Sequence, residues 1–503
     1  MGIKNNKDIF IIFISFLLFS ILTLFVPFNY LVNFAHDDSF FYLKIAQNIV
    51  NGAGVTFDNI SSTNGFHPLY LIIITILFYT LNLLGIVSSE QQFLVVFIFH
   101  IAIIQIISGL TVILLRHILD TEHFRVGLLT FLFICLSFVF IRDFGLESHI
   151  SCLLIVLYLL NRYNKSVKAR WYTAIIISGL FLSRTDYLFT LIPFLVISDI
   201  YKNKDRNRYY DITPVLLSLL IVVAGYYTAN IFFWEHAQTI SGTIVNSFPA
   251  TVLFQNITKI SSTDSMLFNQ GLKLLLFTFM CFLFYLKKNK NSFERIIMIV
   301  SLGLLSNCLL QLTYNNHGIR EWYMTLPSFM MGLMLILWIR SSVNFFRQIA
   351  LVFFVILFAG VLYISRIKST KWDYAIDYAR ELKSSTQKQD LVYQYDMSGI
   401  VSYFSNRNLI DGDGLVSNFN YLKYLKQKNV SPYLKSKGVK YLSVINFTND
   451  LFDNNGNYKL RGEDSLFADI GLSQNNLYNK YPLVYKHATG NNYGYFLLFK
   501  LDN

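Results

Sequence analysis

"IFIIFISFLLFSILTLFVPFNYLVNFAHDD", Ile9 to Asp38, carries no charge as far as Ala35 and then sets two aspartates side by side. As a helix, about 20 such residues cross the ~30 Å hydrocarbon layer of a bilayer. A signal peptide has a shorter apolar stretch that ends in a small-residue cleavage site, and "PFNYLVNFAH" offers no convincing one. The sequence therefore predicts an uncleaved first helix, roughly 9–28, with Asp37 and Asp38 just beyond it at the water interface.

Composition extends this reading to the whole chain. Of 503 residues, 54% are hydrophobic, 17% aromatic and 14% charged, whereas a soluble domain is about one quarter charged. The apolar residues fall in runs long enough to span, which predicts an α-helical polytopic membrane protein. In such a chain a net charge of +12 marks cytoplasmic loops and gives no reason to expect nucleic acid. Cys135, Cys152, Cys281 and Cys308 all lie inside apolar runs, so neither disulfides nor a cysteine metal cluster is expected.

Loop charge orients the chain. Basic residues collect at Lys4/Lys7, Arg116/Arg125, 162–170, 202–208, 287–295 and Arg340/Arg347, while "IRDFGLES", "LSRTDY" and "NNHGIREW" hold one each. With the first set cytoplasmic, about eleven crossings follow, near 9–28, 92–115, 126–141, 148–161, 171–183, 187–200, 213–234, 271–286, 294–312, 322–339 and 349–365. The N-terminus is then inside, and the tail from Arg366 lies outside the cell membrane. "HPLYLIIITILFYTLNLLG", 67–85, does not fit, since counting it inverts every later loop. It is expected to lie in the outer interface or to dip in and return; a plain extra helix is the alternative.

Two units follow, a transmembrane unit of 1–365 with a first outer loop of 30–91, and a soluble α/β domain of 366–503. In the tail, "LVYQYDMSG", "KYLSVINF", "YPLVYKH" and "YGYFLLFKL" read as strands, and "WDYAIDYARELKSS" and "NFNYLKYLKQK" as helices. From Asp37 the pattern is helical, with Phe41, Ile45 and Ile49 on one face and Gly52 as a stop. Carboxylates in a first turn suit the helix dipole, so plain capping is one reading of the pair.

The continuation weighs against capping alone. Asp37-Asp38, "YLKIAQNIVNGAGVTFD" (42–58) and "TNGFHPLY" (63–70) resemble the first exported loop of the GT-C superfamily of membrane glycosyltransferases. Weaker matches are "FGLESHIS" (144–151), "GLFLSRTDYLF" (179–189), "YYTANIFFWEHAQTISGTIVNSFP" (226–249) and "YFSNRNLIDGDGLV" (403–416). The nearest group is the protein-mannosyltransferase, aminoarabinose-transferase and arabinofuranosyltransferase set. The resemblance implies juxtamembrane helices in the first loop and a polyprenyl-phosphate-linked sugar as donor. It also implies a glycan, lipid or protein acceptor and transfer with inversion, with Asp37 as general base. Asp38 is second, orienting the acceptor or holding a cation, so Mg²⁺ or Mn²⁺ stays open.

The leaving phosphate needs cationic or donor groups, and the outer candidates are Arg142, Arg184, His236, His317 and Arg320. Arg320, beside Trp322 and Tyr323, is the first choice; Arg142 and Arg184 have structural pairing with Asp143 and Asp186 as an equal alternative. Glu147 is a second acidic group for the acceptor or a helix cap, and His67 lies within the first-loop match. "DGDG", 411–414, reads as a turn former rather than a metal motif. Two other classes stay open: a flippase or transporter of lipid-linked saccharide, and a polysaccharide polymerase or ligase.

Overall fold

The computed structural model describes residues 17, 20–21, 23–119, 143–162, 168–202, 208–247, 249–261, 265–287, 290–340, 373–446, 483–488 and 495–501. The expected crossings at 126–141 and 349–365, most of that at 9–28, and Arg142 lie outside these residues.

Helix α1 spans Asp37–Val50. Its N-cap is His36, whose side chain accepts from the Asp38 N–H, while Ser39 Oγ accepts from the His36 N–H. The capping bonds are thus made by His36 and Ser39, while both aspartates stand in the first turn of the helix. The far end behaves as the sequence predicts: Gly52, at φ +84°, takes the left-handed turn that ends it.

Helix α2, Pro68–Leu83, begins at a proline, which suits the first helical position. Its 16 residues span about 24 Å at ~1.5 Å each, short of a bilayer's core. Tyr70, Leu71, Ile74, Phe78 and Leu81 are buried, and Ile72, Ile76, Tyr79 and Leu83 form an exposed apolar face. Three described helices are long and apolar enough to cross a membrane: Ser89–Arg116, Ile212–Trp234 and Ser292–Tyr314. They belong to α3 (Ser89–Leu119), α7 (Arg208–Trp234) and α11 (Ser292–Tyr314). Between α3 and α7 come α4 (Ser148–Asn161), α5 (Lys168–Ser183) and α6 (Leu191–Lys202). After α7 come α8 (Ile240–Val245), α9 (Pro249–Ser261) and α10 (Ser265–Leu286), and after α11 comes α12 (Thr325–Arg340). Both α8 and α9 fall in a stretch expected to be loop.

In the tail, α13 (Asp373–Ser385) precedes a five-stranded sheet in the order β2-β1-β3-β5-β4. Its strands are β1 Leu391–Gln394, β2 Asn408–Asp411, β3 Tyr441–Asn446, β4 Leu483–Ala488 and β5 Tyr495–Lys500. β1 is parallel to β2 and β3, whereas β5 is antiparallel to β3 and β4. Helix α14 (Ser398–Ser405) makes the crossover from β1 to β2, and α15 (Phe419–Lys426) and α16 (Ser431–Ser436) precede β3. Successive strand residues face opposite sides. Val392, Leu409, Phe496 and Leu498 join the core shared with the helices, and Leu391, Tyr393, Ile410, Leu497 and Phe499 form a second core with Tyr421, Tyr433 and Leu434.

The first core crosses the expected boundary at residue 366. Ile400, Val401, Tyr403 and Phe404 of α14 belong to it together with Phe40 and Phe41 of α1. Phe404 meets Phe28 and Phe40 with ring centroids 5.7 and 5.4 Å apart. The tail thus adds a sheet to the first loop's own core.

Candidate functional site

A cavity of about 1160 Å³ opens where the first loop, several helix ends and the tail meet. The turn after "IRD" supplies one wall, and its geometry is over-determined. Gly145 stands at φ +86°, and a Cβ there would sit 2.8 Å from Ser39 Cβ. Ser39 Oγ donates to the Phe144 carbonyl at 2.8 Å, and the Gly145 N–H donates to His100 Nε2 at 3.1 Å. A buried chain continues from Tyr70 OH to His100 Nε2 (2.8 Å), from His100 Nδ1 to His149 Nδ1 (2.8 Å), and from His149 Nε2 to Asp143 Oδ1 (3.1 Å). Asp143 also accepts from Ser148 and Thr325, each at 2.6 Å. A proton on His100 Nδ1 lets that ring donate to His149 Nδ1, and His149 Nε2 faces Asp143 Oδ1 as an ion-pair contact.

This lock presents Glu147 to the cavity. Glu147 occupies the N-cap position of α4 without a side-chain cap bond, and its carboxylate turns elsewhere. It accepts from Arg184 Nη1 at 2.8 Å and from Tyr42 OH at 3.2 Å, with His67 Nε2 3.7 Å away. Arg184 also donates twice to Asp186, at 3.1 Å each, and its guanidinium lies 4.3 Å from the centroid of the Tyr323 ring. Asn307 and Gln311 complete Asp186, each at 2.9 Å. Arg184 and Glu147 thus pair in the cavity wall, with three of the five guanidinium N–H donors engaged.

Asp37 and Asp38 diverge, as adjacent residues on a helix must. Asp37 reaches the tail: its Oδ1 accepts from the Ile400 N–H at 2.8 Å and its Oδ2 from the Gly399 N–H at 3.3 Å. These are free donors at the first turn of α14, where the helix dipole favours an anion. Burial pushes the Asp37 carboxyl well above its ordinary range; the Ile400 N–H offsets part of this, and the charges of Asp38, Asp396 and Asp411 add to it. Further along α1, the buried Lys44 lies near Arg407, two residues past α14. Burial, then the charges of Arg407 and Lys388, lower its ammonium to about 8. An anion therefore sits at the start of α14 and a cation near its end.

Asp38 faces the other way. Its Oδ1 is 3.4 Å from His36 Nδ1, and the His36 ring lies 4.7 Å from Trp322. Burial works to raise its carboxyl, but His36 first, and then the charges of Arg320 and His317, hold it below its ordinary value. Arg320, His317, His67 and Tyr323 all line the cavity. Arg320 has no carboxylate within 4.0 Å among the described residues, and it lines the cavity together with Lys426 and Lys428. His236 stays out of the cavity, because its ring stacks on Phe419 with centroids 3.7 Å apart. Among the described residues, no three His, Cys, Asp or Glu side chains are grouped to hold a metal ion.

Sequence reasoning missed Tyr395, Asp396 and Asp413, which line the cavity from the tail. The signal for them is positional: each follows a strand, at the carboxyl end where ligands of parallel sheets bind. Asp411, by contrast, is internal to the fold, accepting from Ser398 Oγ at 2.6 Å and the Val416 N–H at 3.2 Å. Burial pushes its carboxyl up to about 6.

No family model matches the chain, and no curated protein matches it. Among solved structures, that of ArnT from Cupriavidus metallidurans in the apo state aligns over 92% of this chain and 93% of its own, with 11% identity and a TM-score of 0.42. At that distance the chemistry rests on the cavity itself.

Proposed function

We propose that the chain is a membrane glycosyltransferase that moves a sugar from a polyprenyl-phosphate-linked donor to a hydroxyl acceptor at the outer face of the cell membrane. One observation carries the reading. A single cavity joins the buried Asp37, the partly exposed Asp38 and the cation of Arg320 to an aromatic side made by Phe66, Phe189, Tyr226 and Tyr227. Phe189 is 73% exposed, on a surface where Ile175, Ile197 and Phe232 are also exposed. A ligand with a charged head and a long apolar tail matches such a cavity.

In the proposed step the acceptor oxygen forms a bond to C1 of the sugar as the C1–O bond to lipid phosphate breaks. The electron pair leaves on the phosphate oxygen, toward Arg320 and His317, and the acceptor proton goes to Asp37. A general base works best with a pKa near the operating pH, and the raised carboxyl of Asp37 suits this better than the lowered one of Asp38. The charge of Asp38 bears on His36, 3.4 Å away, and at longer range on His317 and Arg320. Purified protein given only a polyprenyl-phosphosugar and an acceptor glycan should form product; absence of transfer with every donor tried would overturn the reading in favour of a flippase.

The rate should also depend on pH in a specific direction. The acid limb is expected above the ordinary aspartate value of about 3.9, since only ionised Asp37 accepts a proton. Asp396→Asn removes a neighbouring negative charge, so the limb should move to lower pH. A limb unmoved by this change would separate it from Asp37.

Orientation has its own test. Ser61→Cys and Ser436→Cys should react with an impermeant thiol reagent in whole cells, and Ser166→Cys should not. The reverse pattern would invert the topology.

A further inference from the structure

The sheet order β2-β1-β3 places β1 at a switch point, because the chain leaves it for β2 on one side and returns to β3 on the other. Ligands of such sheets bind outside the carboxyl ends of the strands at that point. Here the residues immediately after β1, Tyr395 and Asp396, and those after β2, Gly412 and Asp413, all line the cavity.

The two loops are fixed against each other. The Gly412 N–H donates to the Gln394 carbonyl at 2.8 Å, and a Cβ on Gly412 would lie 2.8 Å from the Tyr395 Cα. Beneath them the wholly buried Gln394 donates through Nε2 to the carbonyls of Tyr395 (3.1 Å) and Asp396 (2.9 Å). Its Oε1 has no hydrogen-bond partner among the described residues, and a buried acceptor left in that state is costly. The charges that bear most on Asp413 are themselves acidic: Asp396, Asp411, Asp37 and Asp38. Gln394 fixes the loops from beneath, and of the acidic groups they carry Asp396 and Asp413 line the cavity, where a ligand's hydroxyls can meet their carboxyl oxygens.

We propose that Tyr395, Asp396 and Asp413 form a subsite for the acceptor, and that its occupant is the vicinal-diol face of a sugar ring. The inference rests on the glycosyl-transfer reading and names the acceptor class as a carbohydrate. A carboxylate accepts from two adjacent hydroxyls at once, and a tyrosine ring offers apolar surface to the C–H face of a pyranose or furanose. A metal ion fits less well, since these acids are not grouped as its ligands. An ammonium group fits less well too, because the charges of His36 and Arg320 already bear on Asp396.

Saturation-transfer NMR on the full chain in lipid nanodiscs tests this, with methyl α-mannopyranoside as the probe. The parent protein should give a signal that a 2,3-dideoxy methyl glycoside does not. Asp413→Asn should weaken binding by about tenfold or more, the scale of lost hydrogen bonds to a charged group. Asp396→Asn should weaken it too while keeping the fold, because Asn tolerates the left-handed conformation Asp396 adopts at φ +52°. Equal binding of the dideoxy glycoside, an unchanged affinity in both variants, or displacement by ethylammonium chloride or MgCl₂ well below the concentration of mannoside needed would each overturn the subsite. Donor turnover is measured separately. Mannoside binding that depends on Asp413 without any transfer would leave the subsite standing and remove the glycosyltransferase reading; transfer without such binding would do the opposite.

Discussion

Well-folded Asp37→Asn protein should transfer sugar with a kcat lower by about 10²–10⁴-fold, the usual contribution of a general base, while donor binding stays near that of the parent. The substitution keeps size and lets Oδ1 accept from the Ile400 N–H, but it removes the proton acceptor and turns an amide toward the Gly399 N–H. The folded fraction must therefore be matched by thermal unfolding before rates are compared. Asp38→Asn should cost less, because Asp38 acts on the transfer through His36, His317 and Arg320. Activity of Asp37→Asn within a few-fold of the parent would remove Asp37 from the chemistry.

The second large effect belongs to Gly399, which never faces the substrate's path in sequence terms. An added Cβ would lie 2.5 Å from the Asp37 carbonyl oxygen and 3.1 Å from Asp37 Oδ1 and Phe41 Cδ1. The nearest obstacle is backbone, so α14 must retreat from α1 and take its two N–H donors with it. Overpacking of this kind costs about 1–3 kcal/mol, and displacing a reacting group by about 1 Å can cost 10²-fold in rate. Gly399→Ala is therefore expected to lose about 10²-fold in kcat with the membrane helices intact. Gly225→Ala, in α7, meets nothing within 4 Å and serves as the comparison. Equal rates for the two variants would show that the contact between α14 and α1 has no part in transfer.

What could be read from the chain was local. The start of α1 and its stop at Gly52 follow from an apolar run and a glycine. Asp38 and His67 stand out by the resemblance of the first loop, and His317, Arg320 and Tyr323 by their place in an outer loop; that all five share one cavity is seen only in the fold. The tail's contribution is different in kind. Strand β2 has four residues and α14 eight, too short for periodicity to announce them. Asp396 and Asp413 become cavity residues only because Leu391 pairs with Asn408 and Gln394 with Asp411. "DGDG" does make a turn, with Gly414 at φ +82°. Nothing nearby in sequence says that the turn faces Asp38. The stacking of His236 on Phe419 is equally hidden, since that partner lies far along the chain.

The distance along the chain between Asp37 and its donors also has a meaning in time. The hydrogen bonds from Gly399 and Ile400 span 362 and 363 positions. Translation adds about 5–20 residues per second, so Asp37 leaves the ribosome roughly 20–70 s before the helix that will hold it exists. For that interval the chain has its acidic pair but lacks one wall of the cavity. On the proposed reading, transfer waits for the tail, because a half-made chain would carry the acidic pair without the N–H donors that orient its base.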